Sequence, residues 1–279
     1  MENIFLIASK EKDPKYACTK NAVEILTECG IGIYSDEKLA GNERFKDTVK
    51  LFDGQKIDAV ISIGGDGTIM RAASRAVEYD VPVLGINLGR VGYLAELEPH
   101  ELSLLKYLKE DKYEIESRML ISVEDAKGNH AEALNDVVVS SSDRAQIATV
   151  NLYCDDNKVS MYRADGLILS TPTGSTAYNL AAAGPIIDPK LECIVSTPIA
   201  PHSLKAKPLV FNSNSILKIE AVKESGRGRL SVYVDGRNMT TLTDGETIRV
   251  KKSKNCAKFL RVKLGKNAFY NVLNSKMID

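Results

Sequence analysis

The chain has 279 residues, of which 44% are hydrophobic and 27% are charged, as in ordinary globular proteins. This length is sufficient for two domains of common size. The 37 basic and 37 acidic residues cancel, which argues against a general electrostatic attraction to nucleic acid or to an anionic membrane. We therefore expect any phosphate binding to come from local geometry.

The five cysteines are scattered, without a CxxC or a Cys/His cluster, which is typical of a reducing compartment. Apolar runs fall short of the roughly 20 residues that a membrane-spanning helix needs. The apolar stretch near the N-terminus is too short for a signal peptide. We expect a cytoplasmic protein whose partners include neither nucleic acid nor a membrane.

The first hundred residues alternate between strand and helix patterns. Buried strands are predicted at three apolar runs: residues 4–8, 57–63 and 81–86. The first helix is expected to begin at Asp13-Pro14 and to end at Gly30. Further helices are predicted after the second strand and over residues 99–110. This alternation predicts an α/β domain with a Rossmann-like parallel sheet over residues 1–112.

From about residue 116 onward, short apolar runs recur at intervals of about ten residues. The runs are residues 119–123, 133–139, 148–153, 167–169, 209–211, 216–221, 230–234, 248–250 and 259–262. They predict an antiparallel all-β sandwich over residues 113–265. Residues 175–183 have helical composition instead and end at Gly184-Pro185, which favours a ligand platform inserted among the strands.

The first motif, Gly64-Gly65-Asp66-Gly67-Thr68, follows the second predicted strand. Glycine permits positive φ and close approach of a ligand to the backbone, and a helix start exposes N–H groups that bind phosphate. We therefore predict that Gly64, Gly65, Gly67 and Thr68 bind phosphate. The motif lacks the third glycine of a Rossmann fingerprint, and the chain has no P-loop. The competing interpretation is a tight turn that Asp66 caps.

The second motif, residues 87–94, follows the third strand, so we expect it at the same sheet edge as the first. Within it Arg90 and Tyr93 are candidates for contacting a phosphate or a ring, although a structural loop is equally compatible with the spacing. The third motif, Asn135-Asp136, suits two ribose hydroxyls, but on its own it is also a turn signal.

The fourth motif, residues 163–178, combines an Arg/Asp pair with several hydroxyls and a tyrosine. Helix capping does not need so many hydroxyls, so a polar nucleotide pocket is favoured. Taken together, the four motifs resemble the NAD kinase family in order and spacing, over nearly the whole chain. GGDG also marks lipid kinases and relatives among the phosphofructokinases. The segment from Thr173 to Tyr178 distinguishes NAD kinases from them.

The resemblance implies an α/β domain and a β-sandwich with the site between them, and a C-terminal segment, residues 266–279, that returns to the first domain. It also implies homo-oligomers, either dimers or tetramers, in which a neighbouring subunit completes the pocket. The substrates would be ATP and NAD. We expect Mg²⁺ to arrive on the phosphates and assign it no protein ligand.

In that family Asp66 would be the catalytic residue that accepts the proton of the ribose 2′-hydroxyl. At a helix start it is a weak base, which is sufficient if the transition state is loose and the proton leaves late. The resemblance implies these NAD-binding residues: Asp66, Gly67, Arg71, Asn135, Asp136, Gln146, Arg163, Asp165, Thr173, Thr176, Ala177, Tyr178, Asn179, Leu180, Ala181, Ala200 and Arg237. Gln146 and Arg237 depart from what some members carry, which is a basic residue at the first and Gln or His at the second.

Two alternatives stay open at this point. The chain could be another GGDG kinase that acts on a lipid or a sugar phosphate, although the hydroxyl-rich 170–178 segment argues against a lipid. It could also be a dinucleotide-sensing protein without catalysis, which would have no use for Asp66 as a base.

Overall fold

The computed structural model of the chain describes residues 1–89, 92–142, 146–222, 229–263 and 268–277. The chain divides into two compact units. One comprises Met1–Ser117 and Ala257–Asp279, and the other comprises Arg118–Cys256. No helix within the described ranges has the length and apolar character needed to cross a bilayer.

The first unit contains a parallel sheet with the strand order β3-β2-β1-β4-β5. Its strands are β1 (Asn3–Ala8), β2 (Gly32–Ser35), β3 (Val49–Leu51), β4 (Ala59–Gly64) and β5 (Val83–Asn87). Its helices include α1 (Ala17–Glu28), α2 (Glu37–Ala40), α3 (Asp66–Glu78) and a 3₁₀ helix (Pro99–Leu108). Every residue of β4 and β5 is buried, as expected for central parallel strands covered on both faces. The predicted α/β architecture is confirmed.

Two details of the first unit differ from the prediction. Helix α1 begins at Ala17 and not at Asp13-Pro14. The Asp13 carboxylate still serves that helix, because it accepts hydrogen bonds from the backbone N–H and the hydroxyl of Thr19 at 2.8 and 2.7 Å. The sequence analysis also missed the segment from β2 to β3, where the apolar runs are short.

The second unit is a sandwich of antiparallel strands. One sheet has the order β13-β12-β11-β8-β15-β16, and the other includes β10-β9-β14-β17. The strands are β6 (Glu114–Asp125), β7 (His130–Ala133), β8 (Asp136–Ser141), β9 (Ala148–Cys154), β10 (Asn157–Ala164), β11 (Gly166–Ser170), β12 (Cys193–Ile199), β13 (Leu209–Asn212), β14 (Leu217–Ala221), β15 (Leu230–Val234), β16 (Arg237–Leu242) and β17 (Thr247–Arg261). Residues such as Val139 and Leu167 from one sheet share a core with Leu152 and Ile219 from the other. The predicted sandwich is confirmed.

The predicted helix over residues 175–183 is two short turns, a 3₁₀ helix (Thr173–Thr176) and α4 (Tyr178–Ala181). The last helix, α5 (Ala268–Met277), belongs to the first unit, as does the end of β17, where Phe259 pairs with Val83 of β5. The division into domains at residues 112 and 265 remains a prediction.

Candidate active site

The glycine turn places an aspartate in the first turn of a helix. Gly65 is the residue that caps α3, and Asp66 is the first helical residue. The carbonyl of Gly65 accepts hydrogen bonds from the N–H groups of Thr68 and Ile69 at 2.8 and 3.1 Å. One carboxylate oxygen of Asp66 accepts from the backbone N–H of Tyr93 at 3.3 Å. The interpretation of Asp66 as the helix cap is therefore wrong.

The glycines of this turn do not adopt the positive φ that the sequence suggested. A Cβ at Gly64 would lie 2.6 Å from the Thr68 hydroxyl oxygen, so packing explains that glycine. At Gly65 and Gly67 no non-neighbouring protein atom among the described residues lies within 4 Å of such a Cβ. The chain's own packing thus does not require glycine there, and the backbone at both positions is accessible from outside.

The second motif lies beside the first, as predicted. Asn87 pairs with Gly64 in the parallel register, and the N–H of Leu88 donates to the Gly64 carbonyl at 2.9 Å. A Cβ at Gly92 would lie 1.9 Å from a carboxylate oxygen of Asp66. The Asp66 carboxylate is therefore in direct contact with the backbone of residues 92–93.

Three other residues predicted near this turn are Arg71, Arg90 and Tyr93. Arg90 lies outside the described residues. The guanidinium of Arg71, an exposed residue, lies 3.5 Å from the Thr68 hydroxyl. The Tyr93 ring contacts the Phe269 ring of α5, with centroids 5.9 Å apart, and burial raises the pKa of the Tyr93 phenol.

In the second unit, the Asn135-Asp136 pair is fixed by a third residue that the sequence analysis did not single out. The Asp235 carboxylate accepts hydrogen bonds from the N–H groups of Leu134, Asn135 and Asp136, at 2.8, 2.8 and 3.1 Å. Asp235 lies in the turn between β15 and β16, two residues before Arg237, which is a predicted NAD contact. The Asp-Gly sequence of this turn is a common hairpin signal, so the sequence alone gives no sign that Asp235 also bonds residues outside the hairpin.

Two carboxyl groups are consequently buried close together. Asp136 is only 6% exposed, and burial, followed by repulsion from Asp235, raises the pKa of Asp136 to about 7. Burial also raises the pKa of Asp235, which the three N–H bonds and Arg237 oppose. Such a pair has one carboxyl group that changes its protonation state near neutral pH.

The hydroxyl-rich motif contacts the same backbone from another direction. The Thr171 hydroxyl donates to the Leu134 carbonyl at 2.5 Å, and the Thr171 N–H donates to the Asn135 carbonyl at 2.9 Å. Gly174 leaves no room for a side chain, because a Cβ there would lie 2.1 Å from the Asn135 carbonyl oxygen. The third and fourth motifs thus form one hydrogen-bonded cluster.

Within residues 173–181 the predicted contacts separate into buried and exposed residues. Asn179 is fully buried; its amide donates to the carbonyls of Ser175 and Pro185, and its oxygen accepts from the Thr197 hydroxyl. Thr173 is buried too, and Thr176 and Ala177 are half-buried. The exposed members are Tyr178, Leu180 and Ala181. The exposed residues can touch a ligand, whereas Asn179 supports the turn that presents them.

Four predicted contacts do not lie at this cluster. Strand β11 pairs Ser170 with Asp136 at one end and Gly166 with Ser140 and Ile199 at the other, about 13 Å away. The residues near the Gly166 end are Arg163, Asp165, Ala200 and, just before β9, Gln146, all of them exposed. The predicted NAD contacts of this unit therefore form two groups, near opposite ends of strand β11.

Comparisons with known proteins agree with these motifs. The ATP-NAD kinase N-terminal domain model matches residues 4–113, and the ATP-NAD kinase C-terminal domain model matches residues 134–262. The NAD kinase of Lachnoclostridium phytofermentans is 35% identical over 100% of both chains. The structure of an NAD kinase from Archaeoglobus fulgidus in complex with ATP has a TM-score of 0.74 and 26% identity, covering 98% of this chain and 97% of that one.

The structure of yeast NADH kinase complexed with NADH has the same fold, with a TM-score of 0.85 at 22% identity, covering 99% of this chain and 87% of that one. Fold and motifs together define a phosphotransferase whose acceptor is an alcohol group. More particularly, the chain belongs to the ATP-NAD kinase family. Its reaction is the phosphorylation of NAD, and the alternatives of a lipid kinase, a sugar-phosphate kinase and a non-catalytic sensor are set aside.

Proposed function

We propose that the chain transfers the γ-phosphoryl group of ATP to the 2′-hydroxyl of the adenosine ribose of NAD, and that Asp66 accepts the proton of that hydroxyl. The observation that carries this proposal is the contact of the Asp66 carboxylate with the backbone of Gly92 and Tyr93, which fixes its direction in the first turn of α3. A fixed carboxylate can orient an alcohol before transfer and take its proton late in the reaction.

The phosphates of ATP would bind at the turn that carries Asp66. The positive end of the helix dipole lies at the start of α3, and the backbone N–H groups at a helix start are suited to binding phosphate. The accessible backbone at Gly65 and Gly67 supports an approach closer than any side chain would permit. Gly64 and Thr68 would then shape the turn from its buried side.

NAD would be bound through the second unit. Asn135 and Asp136 have side chains suited to the two hydroxyls of a ribose, since an amide bonds hydroxyls in both directions and a carboxylate accepts from them. The ring of Tyr178 is 46% exposed, which leaves a face for stacking on a base. Thr173, Thr176, Ala177, Leu180, Ala181 and Arg237 would complete this region.

We further propose that the enzyme works as a homo-oligomer, dimer or tetramer, in which a second copy contributes the Arg163, Asp165, Ala200 and Gln146 group. The separation of this group from the Asn135 group supports the idea. Exposed apolar side chains of the same unit also support it, among them Leu204 and, on the edge strands β10 and β13, Met161 and Val210.

Mg²⁺ is proposed to enter with ATP. The residues that the structure describes include no group of three or more His, Cys, Asp or Glu side chains placed to bind a metal ion. Carried on the phosphates, the ion would neutralise their charge. We also propose a cytoplasmic location, in keeping with five cysteines that are all free.

The direct test is incubation of the purified protein with ATP, Mg²⁺ and NAD, with NADP detected by an NADP-specific dehydrogenase. Parallel reactions replace NAD with diacylglycerol or a sugar phosphate. NADP formation that depends on both substrates supports the proposal. Consumption of ATP with either alternative acceptor and not with NAD would refute it.

The role of Asp66 is tested by Asp66→Asn, which preserves size and removes the basic oxygen. We expect kcat to fall by about 100-fold or more, because a positioned acid–base group contributes about that much, while the Kd for NAD stays near that of the parent. The matched control is Asp47→Asn, an exposed aspartate of the same unit, which should leave kcat unchanged. A parental kcat in Asp66→Asn would show that Asp66 is not the base.

A further inference from the structure

The side chain of Asp235 holds a segment of backbone that is 99 to 101 residues away in sequence. Its carboxylate accepts all three N–H groups of residues 134–136, and its own N–H donates to the Asp136 carbonyl at 3.0 Å. Thr171 donates to the carbonyls of Leu134 and Asn135. Each backbone N–H and carbonyl of residues 134–136 is therefore hydrogen bonded, and Asp235 provides the partner for most of them.

The hairpin turn does not account for an aspartate at this position. Asp235 has φ of 46° and Gly236 has φ of 77°, values that asparagine or glycine adopts as readily. A buried carboxylate close to another carboxyl group is costly, because both lose water and repel each other. The hydrogen bonds to residues 134–136 are the interaction that offsets this cost, since N–H bonds to a carboxylate are the stronger kind.

We infer that Asp235 is a positioning residue for NAD: by fixing the backbone of residues 134–136, it sets the direction in which Asn135 and Asp136 present their side chains to the substrate. The inference rests on the proposed role of Asn135 and Asp136 in binding NAD. Asp235 does not itself need to touch NAD. Its loss therefore affects the binding of one substrate and leaves the phosphate turn of the first unit as it is.

Steady-state kinetics of Asp235→Asn provide the test, with NAD and ATP varied separately. Asparagine keeps one acceptor oxygen but turns an NH₂ group toward at least one backbone N–H. We expect KM for NAD to rise by about 10- to 100-fold, the loss typical of misplaced substrate groups. The KM for ATP and kcat at saturating NAD should stay close to those of the parent.

A second aspartate of the same unit supplies the matched control. The carboxylate of Asp155 accepts the backbone N–H of Ile216 at 2.9 Å, away from residues 134–136. Asp155→Asn should reproduce any general effect of replacing a hydrogen-bonded carboxylate by an amide, namely a lower Tm, without changing KM for NAD. If both variants lower Tm alike and neither changes KM for NAD, Asp235 is merely structural and the inference is overturned.

Two further variants keep the outcome decisive. If Asp235→Asn does not fold, Asp235→Glu retains the charge but displaces it by one methylene, and an unchanged KM for NAD there overturns the inference. Asn135→Ala separates this inference from the proposed function. If Asn135→Ala leaves KM for NAD unchanged, the proposed NAD contact fails. If it raises KM for NAD while the Asp235 variants do not, only the positioning role fails.

Discussion

The two regions that carry the candidate site are constructed in opposite ways. In the first unit, the turn around Asp66 consists mainly of glycine and backbone, and one carboxylate is directed by the absence of side chains, above all at Gly92. In the second unit, residues 134–136 are held by hydrogen bonds to every backbone polar group, from the side chain and backbone of Asp235 and of Thr171. The direction of the Asp66 carboxylate depends on the room that the missing side chains leave, whereas the backbone of residues 134–136 depends on hydrogen bonds.

This difference matches what each region is proposed to do. Phosphate is bound well by backbone N–H groups, which need an accessible main chain. A ribose is bound by amide and carboxylate side chains, whose direction depends on a rigid main chain beneath them. The comparison can be tested by adding volume to the first region and by removing polar groups from the second.

The largest effect is expected from Gly92→Ala. The new methyl group would collide with the Asp66 carboxylate, so either the side chain or the 92–93 backbone must move. A displacement of about 1 Å at a catalytic group costs about 100-fold in rate. We therefore expect kcat to fall by about that factor in a steady-state assay, with the Kd for NAD little changed.

Gly41→Ala is the control for added volume. Its Cβ would lie 2.9 Å from the Glu37 carbonyl, at the end of α2. This variant should lose stability in a thermal melt but keep kcat. A parental kcat in Gly92→Ala would mean that the direction of Asp66 does not depend on the absence of a side chain at residue 92. The account of the first region given above would then be wrong.

A smaller effect is expected from Tyr178→Ala. Aromatic stacking is worth about 1 kcal/mol, so removing the exposed ring should weaken NAD binding by about fivefold or more in a calorimetric titration. Tyr178→Phe keeps the ring and should keep the affinity. An unchanged Kd in Tyr178→Ala would place the base elsewhere in the second unit.

At Asp136 the expected effect is on the pH dependence of stability. Its pKa is raised from 3.8 to about 7, so between these values the folded protein retains a proton that the unfolded chain has lost. Its contribution to the free energy of unfolding therefore falls as pH rises through this window. Asp136→Asn does not titrate, so its stability relative to the parent should increase by about 1 kcal/mol per pH unit between about pH 4 and about pH 7. Denaturant titrations at both pH values measure this. Parallel changes in the two proteins would contradict the buried carboxyl pair.

Sequence patterns predicted those strands whose buried residues form a continuous apolar run. The central strands β4 and β5 are buried throughout and were found. The edge strands β10 and β16 were missed, because polar residues interrupt their apolar positions and leave no apolar run. β12 is fully buried except at its end, but its serine, threonine and proline interrupt the apolar run.

The boundaries between the units were also hard to read. The chain passes from one unit to the other within the continuous strands β6 and β17, at residues 117–118 and 256–257. Local composition changes little inside a strand. For β17, the polar stretch at 251–255 made one strand look like two.

For the site, short motifs revealed the residues that lie next to one another in sequence. They could not reveal Asp235, because its partners lie about a hundred residues earlier and its own surroundings read as a simple hairpin. Likewise, Asn179 could be placed in the polar segment but not recognised as buried, since that depends on Thr197 and Gly184. Long-range pairing of polar groups leaves no local periodicity to detect.

The turn between β15 and β16 has a consequence for changes in chain length. Its two residues, Asp235 and Gly236, bridge Val234 and Arg237 at a spacing that also brings the carboxylate to residues 134–136. An inserted peptide or epitope tag there would displace the carboxylate from residues 134–136 and should raise KM for NAD at least as much as Asp235→Asn.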